Sequence, residues 1–247
     1  MPSDTAPSLA EQVAAAHDWW REAGVDQLFA DEATVWLEEK PEPAAAAPAA
    51  KSAAPPPPPP EPTIGGAPAS WPTELAQFAQ WWLAEPSLDH GGAAPRVPPR
   101  GPADAKLMVL VPEPEKEDNE RLLSGEQGNL LASFLKNAGV AEDEVYFAAA
   151  LPRHTPMADW RGLHRTGLGK IILHQVELVA PERLILFGRD VTALLGHDPA
   201  KNTQFLLNFN HQGGSVRALT ARSLDHMLRI PPARKRLWQD WLDWTDG

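Results

Sequence analysis

Cysteine is absent from all 247 residues. That excludes disulfides, cysteine-bound zinc, thiolate-held iron–sulfur clusters and thiol nucleophiles. No run approaches the ~18 apolar residues that a membrane-crossing helix needs, so no membrane partner is expected. The opening MPSDTAPSLAEQ lacks the basic start and apolar core of a secretory signal, and a cytoplasmic protein is expected. Basic residues are outnumbered, 22 Lys+Arg against 33 Asp+Glu. A broad nucleic-acid surface is therefore disfavoured, because DNA affinity rests largely on phosphate neutralisation. The imbalance is uneven: residues 1–100 carry net −9, whereas residues 150–247 carry net +4. A local basic face in the last third stays open.

Proline, by contrast, is plentiful. Residues 40–70 are Pro/Ala-rich, with six consecutive prolines at 55–60, and read as a stiff polyproline-II-like linker. Ahead of it, residues 1–39 read as a helical segment. Ser8 and Glu11 have capping-box spacing for a helix over 8–23, Gly24 is a stop, and a second short helix is expected over 28–37. The segment is either a docking element on the main domain or a protein-binding hairpin. In the latter, Trp19, Trp20 and Trp36 are the anchors, as Trp is enriched at interface hot spots.

Residues 71–247 read as the main domain. A helix is predicted over 71–84, with Thr73 as N-cap and Leu75, Phe78 and Trp82 on its buried face. Apolar runs predict strands at 107–111, 144–150, 183–187 and 215–220, and helical periodicity recurs at 168–179 and 232–244. Alternating strands and helices imply an α/β protein, a three-layer α/β/α sandwich with a four-stranded, mostly parallel sheet. Ligands of such sheets bind beyond the carboxyl ends of the strands. An acidic turn, Glu113 to Glu120, follows the first strand there. Glu113 is the carboxylate to test, and the others are expected to be solvated. Gly125 and Gly128 follow, then a helix bearing Leu130, Leu131, Phe134 and Leu135.

Residues from about 71 to 244 resemble the uracil-DNA glycosylase superfamily, most closely its iron–sulfur branch, family 4. The resemblance rests on Gln175 through Gly188 against QIELIxPKxIVALG, and on Gly125, Gly128, Leu130 and Leu131 against VGxxGxLL. Val145, Tyr146 and Phe147 match VYITN. Met227, Leu228, Arg229, Pro231 and Trp238 match LLRxP…W. The match departs where the family's chemistry lies. Arg153 and Leu168 stand at two cluster-cysteine positions, and another falls near residues 81–88. Pro112 replaces the functional Glu, Leu123 the Phe that stacks on uracil, Ala149 the Asn that reads its edge, and Ser223 the His of the HPS motif. No iron–sulfur cluster or other cofactor is expected, and little or no uracil excision.

Other candidates remain for a divergent enzyme: Glu113, His154, His164, Ser223 and His226, the last with Asp225 hinting at a triad. Arg153, Arg161, Arg165, Arg222 and Arg229 are candidate DNA contacts. Single-stranded or damaged DNA is the expected nucleic-acid partner. Three functions stay open: a degenerate, DNA-binding or repair-associated protein, a divergent glycosylase, and a protein scaffold with no nucleic-acid role.

Overall fold

The structure, a computed structural model, describes residues 8–24, 63–197, 205–211 and 214–245. The chain divides into two units, Met1–Pro57 and Pro58–Gly247. In the first, helix α1 spans Leu9–Glu22 and buries none of its residues. Its capping box is complete: the Ser8 hydroxyl accepts from the Glu11 N–H at 3.4 Å, and the Glu11 carboxylate accepts from the Ser8 N–H at 2.7 Å. The helix expected over 28–37, with Trp36, lies outside the described residues, as do residues 40–62 of the linker.

The second unit begins, among the described residues, with a turn that is already part of the fold. Ile64 is buried, its N–H donates to the Thr166 carbonyl, and the Gly65 N–H donates to the Ser87 hydroxyl. Helix α2 (Leu75–Ala84) follows. It starts after Glu74, which puts Thr73 one residue too early to cap it. Then come β1 (Leu107–Val111), α3 (Glu126–Asn137), β2 (Val145–Ala149), α4 (Trp160–Arg165), α5 (Leu168–Val179) and β3 (Arg183–Phe187). The series closes with α6 (Arg189–Leu194), β4 (Leu206–His211), β5 (Gly214–Ala221), α7 (Leu224–Arg229) and α8 (Pro231–Thr245).

The sheet order is β2-β1-β3-β5-β4. β1 pairs in parallel with β2 and β3, and β3 with β5, while β4 runs antiparallel to β5. The sheet thus has five strands, not the four predicted. β4 escapes the sequence pattern because it is an edge strand: Leu207 and Phe209 are buried, Asn208 between them is exposed, and Asn is poor in strands.

β1 is buried along its whole length, and its alternation divides the core between the sheet's faces. Met108 and Leu110 meet Phe78 and Trp82 of α2 and Ile171, Ile172 and Val176 of α5. Leu107, Val109 and Val111 meet Leu131 and Leu135 of α3, Met227 of α7, and Leu237, Trp241 and Trp244 of α8. The result is the α/β/α sandwich that the alternation of elements predicts.

Candidate strand-end site

The carboxyl ends of the parallel strands place Pro112 after β1, Ala149 at the end of β2, Gly188 after β3 and Ser223 two residues beyond β5. These ends converge closely. A Cβ built on Gly188 would lie 3.0 Å from the Pro112 ring and 4.0 Å from the Ser223 Cβ. Gly188 also has φ +102°, which a side chain would strain. Ala149 and Leu123 are both buried. The Ser223 hydroxyl caps α7, accepting from the His226 N–H at 3.3 Å. Asp225 is ion-paired with Arg229 rather than with His226. The Ser223–Asp225–His226 triad that the sequence hints at is not assembled.

Two candidates do come together. Nδ1 of His154 lies 3.4 Å from a Glu113 carboxylate oxygen and 3.1 Å from the Pro114 carbonyl. The same carboxylate accepts the Thr155 N–H. Carbonyl and carboxylate oxygens both face Nδ1, an arrangement that a hydrogen on Nδ1 would satisfy. His164 stands apart, exposed on α4 with Arg161 and Arg165, and Arg222 is exposed after β5.

The acidic turn departs from the solvated loop expected. Glu115 and Asp118 are buried. The Asp118 carboxylate accepts from the N–H groups of Glu115, Leu123 and Ser124 and from the Ser124 hydroxyl, at 2.6–2.9 Å. Glu115 accepts from the N–H groups of Gly125, Gln127 and Gly128 at 3.0, 2.7 and 3.1 Å. These amides open α3, where unpaired donors and the helix dipole favour an anion. The paired glycines belong to the same device. A Cβ on Gly125 would sit 2.8 Å from Glu115 Oε1, and one on Gly128 would sit 1.9 Å from the Leu123 carbonyl oxygen. The one hint in the sequence is a helix opening on glycine, which has no capping side chain of its own.

Arg153, a candidate DNA contact, is drawn into the fold. Its Nε meets Asp89 at 2.9 Å, and its Nη1 donates to the carbonyls of Gly92 and Ala94. Arg96 meets the same Asp89 oxygen at 2.9 Å and also holds the Leu83 and Glu85 carbonyls. Burial opposes the Asp89 charge. The Gly91 amide and the two guanidiniums outweigh it and hold that carboxyl below its ordinary range.

A family model described as the Uracil DNA glycosylase superfamily matches residues 98–240. The chain belongs to that superfamily. It is a member without cysteine, so no cysteine-held cluster can form. Among the described residues, no group of three or more His, Asp or Glu is placed to hold a metal ion, and no helix is long and apolar enough to cross a membrane. Where the resemblance puts the cluster cysteines, the glycosylase-fold domain has other fastenings. Arg153 is clamped on Asp89, while Leu168, Trp82 and Leu88 fill one core cluster with at most 1% of their surface exposed.

Proposed function

We propose that this protein is a degenerate uracil-DNA glycosylase, nearest in pattern to the iron–sulfur branch, that works in the cytoplasm by binding rather than by excising bases. The observation that carries the reading is Ala149, a buried methyl group at the position of the edge-reading amide. Extruding a base costs a few kcal/mol, offset in an active enzyme by stacking and edge hydrogen bonds. Leu123 supplies no aromatic face, and Ala149 no side-chain hydrogen bond. Ser223 is held as a helix cap and, unlike histidine, does not become cationic near neutral pH. Arg161 and Arg165, exposed on α4, and Arg222, exposed just after β5, are the proposed contacts to single-stranded or damaged DNA.

The proposed organisation is the helical segment 1–39, the linker 40–70, whose last residues from Ile64 on pack against the domain, and the glycosylase-like domain. Leu9, Val13 and Trp20 form an exposed stripe at helical spacing on α1, with Trp19 edge-on to Trp20. That stripe is the proposed surface for a protein partner, in the helix-in-groove manner.

A second reading is favoured by one observation, the Glu113–His154 pair: a divergent glycosylase with relocated acid–base groups. Oligonucleotides containing uracil, hypoxanthine or xanthine, incubated with the protein and then treated with alkali, separate the two. The binding reading expects no strand breaks above background. It expects single-stranded DNA binding that weakens steeply between ~50 and ~200 mM salt. Breaks that vanish in His154→Ala would replace it with the enzyme. Salt-independent or absent DNA binding would leave the protein-scaffold role.

A further inference from the structure

A concavity of about 820 Å³ opens along α3 and shares only Leu123 with the strand-end positions. Its floor is apolar: Leu131, Leu135 and Phe147 are buried beneath it, and the half-buried Val140 and exposed Ala132 are open to it. Its rim is cationic: Arg100, Arg121 and Lys136 line it together with one carboxylate, Glu142. Arg100 lies with its guanidinium 4.0 Å above the Phe147 ring, and its Nε donates to the Leu122 carbonyl. Nη1 of Arg100 and Nη2 of Arg121 share one Glu142 oxygen, at 2.9 and 2.5 Å. One carboxylate thus serves two guanidiniums, with Lys136 beside them. Burial pushes the Arg100 pKa down, aided by the neighbouring Arg121 charge and only partly opposed by Glu142 and Asp118.

We propose that this groove docks an acidic peptide segment of a partner protein, one that sets an apolar side chain against Val140 and Ala132, above the buried Leu131 and Leu135, and brings its own carboxylates to Arg121 and Lys136. Charge complementarity carries the choice of partner, because the residues lining the groove include three cationic side chains and one carboxylate. Nucleic acid fits less well. Phe147 is buried beneath Arg100, so no aromatic platform is left for a base, and Glu142 would repel a phosphate. Addition of a strand fits less well too. The Arg100 backbone already exchanges both hydrogen bonds with Phe147 on the outer edge of β2, at 3.0 and 2.7 Å. Recognition is therefore by side chains in a groove, with anchors at helical spacing.

The test uses the full chain and a fluorescein-labelled synthetic helix, with leucines at i, i+3, i+4 and i+7 and glutamates elsewhere. The control peptide carries lysine in place of each glutamate. The glutamate peptide is expected to bind, shifting the methyl signals of Leu131, Leu135 and Val140, and the lysine peptide is not. Arg121→Glu should weaken binding by about tenfold or more. Ala132→Trp, at an exposed position lining the groove, should block it sterically. Both variants should melt like the parent chain. The proposal is overturned if the variants bind the glutamate peptide as well as the parent does, if the shifted methyls lie elsewhere, or if oligothymidylate displaces the peptide and shifts the same methyls.

Discussion

Replacing Glu115 by alanine removes the side chain that caps α3. Three amides that it now holds at 2.7–3.1 Å lose their partner in a half-buried place. Loss of an N-cap acceptor costs ~1 kcal/mol. Loss of a negative charge at a partly buried helix N-terminus costs roughly another 1. Donors left without a full partner add about 1 more, since water reaches some of them. The expected total is about 3 kcal/mol, or roughly 6–12 °C in Tm for a domain of this size. Glu115→Gln keeps the shape but turns an NH2 group toward amides that need an acceptor, and should lose about two-thirds as much. Glu117→Ala and Glu120→Ala, at exposed positions in the same turn, should stay within ~0.5 kcal/mol of the parent. Thermal unfolding followed by circular dichroism at neutral pH measures all four. If Glu115→Ala melts together with Glu117→Ala, Glu115 is not the cap that its geometry describes.

Gly128→Ala forces a methyl against the Leu123 carbonyl oxygen, and should destabilise the domain by more than ~3 kcal/mol in chemical denaturation. Asp89 has a depressed folded pKa, so its contribution to stability is whole above the unfolded value of ~3.9 and is lost as pH falls below it. Tm measured from neutral to acid pH should therefore drop in that window, and Asp89→Asn should flatten the drop while lowering Tm at neutral pH. Tyr146, the one tyrosine in the chain, is pushed up to about 12 by burial, against a smaller lowering by the Gln175 hydrogen bond. Its contribution is whole below the unfolded value of ~10 and is lost as pH rises through the folded one. Tyrosinate absorbance should stay absent in the folded protein until near pH 12 or alkaline unfolding, and its appearance near pH 10 with the fold intact would contradict the burial.

Much of the fold was legible because burial writes itself into apolar runs. β1, β2 and β3 are buried nearly throughout, and α5 repeats its apolar residues at helical spacing; each stands where the sequence places it. β4 was not legible, because an edge strand with one covered face carries asparagines that read as loop. At the site, the glycosylase pattern located Pro112, Ala149 and Ser223 at the strand ends. It could not reveal that Glu115 is a cap, since a carboxylate ten residues before Gly125 becomes buried only when the turn folds it back onto the helix. Arg153 read as a phosphate contact from its charge alone. Its partner Asp89 is 64 positions away, a distance over which sequence spacing carries no signal.

The Asp89 clamp has a consequence for handling and evolution of the protein. It ties the stretch after α2 to the stretch after β2 with charges and carbonyls alone. A fastening of this kind needs no metal delivery or thiol chemistry to form, and neither oxygen nor chelators can undo it. The clamp answers instead to protons, as its carboxylate is titrated. Its failure should be graded and reversible, where a lost cofactor is replaced only by reassembly.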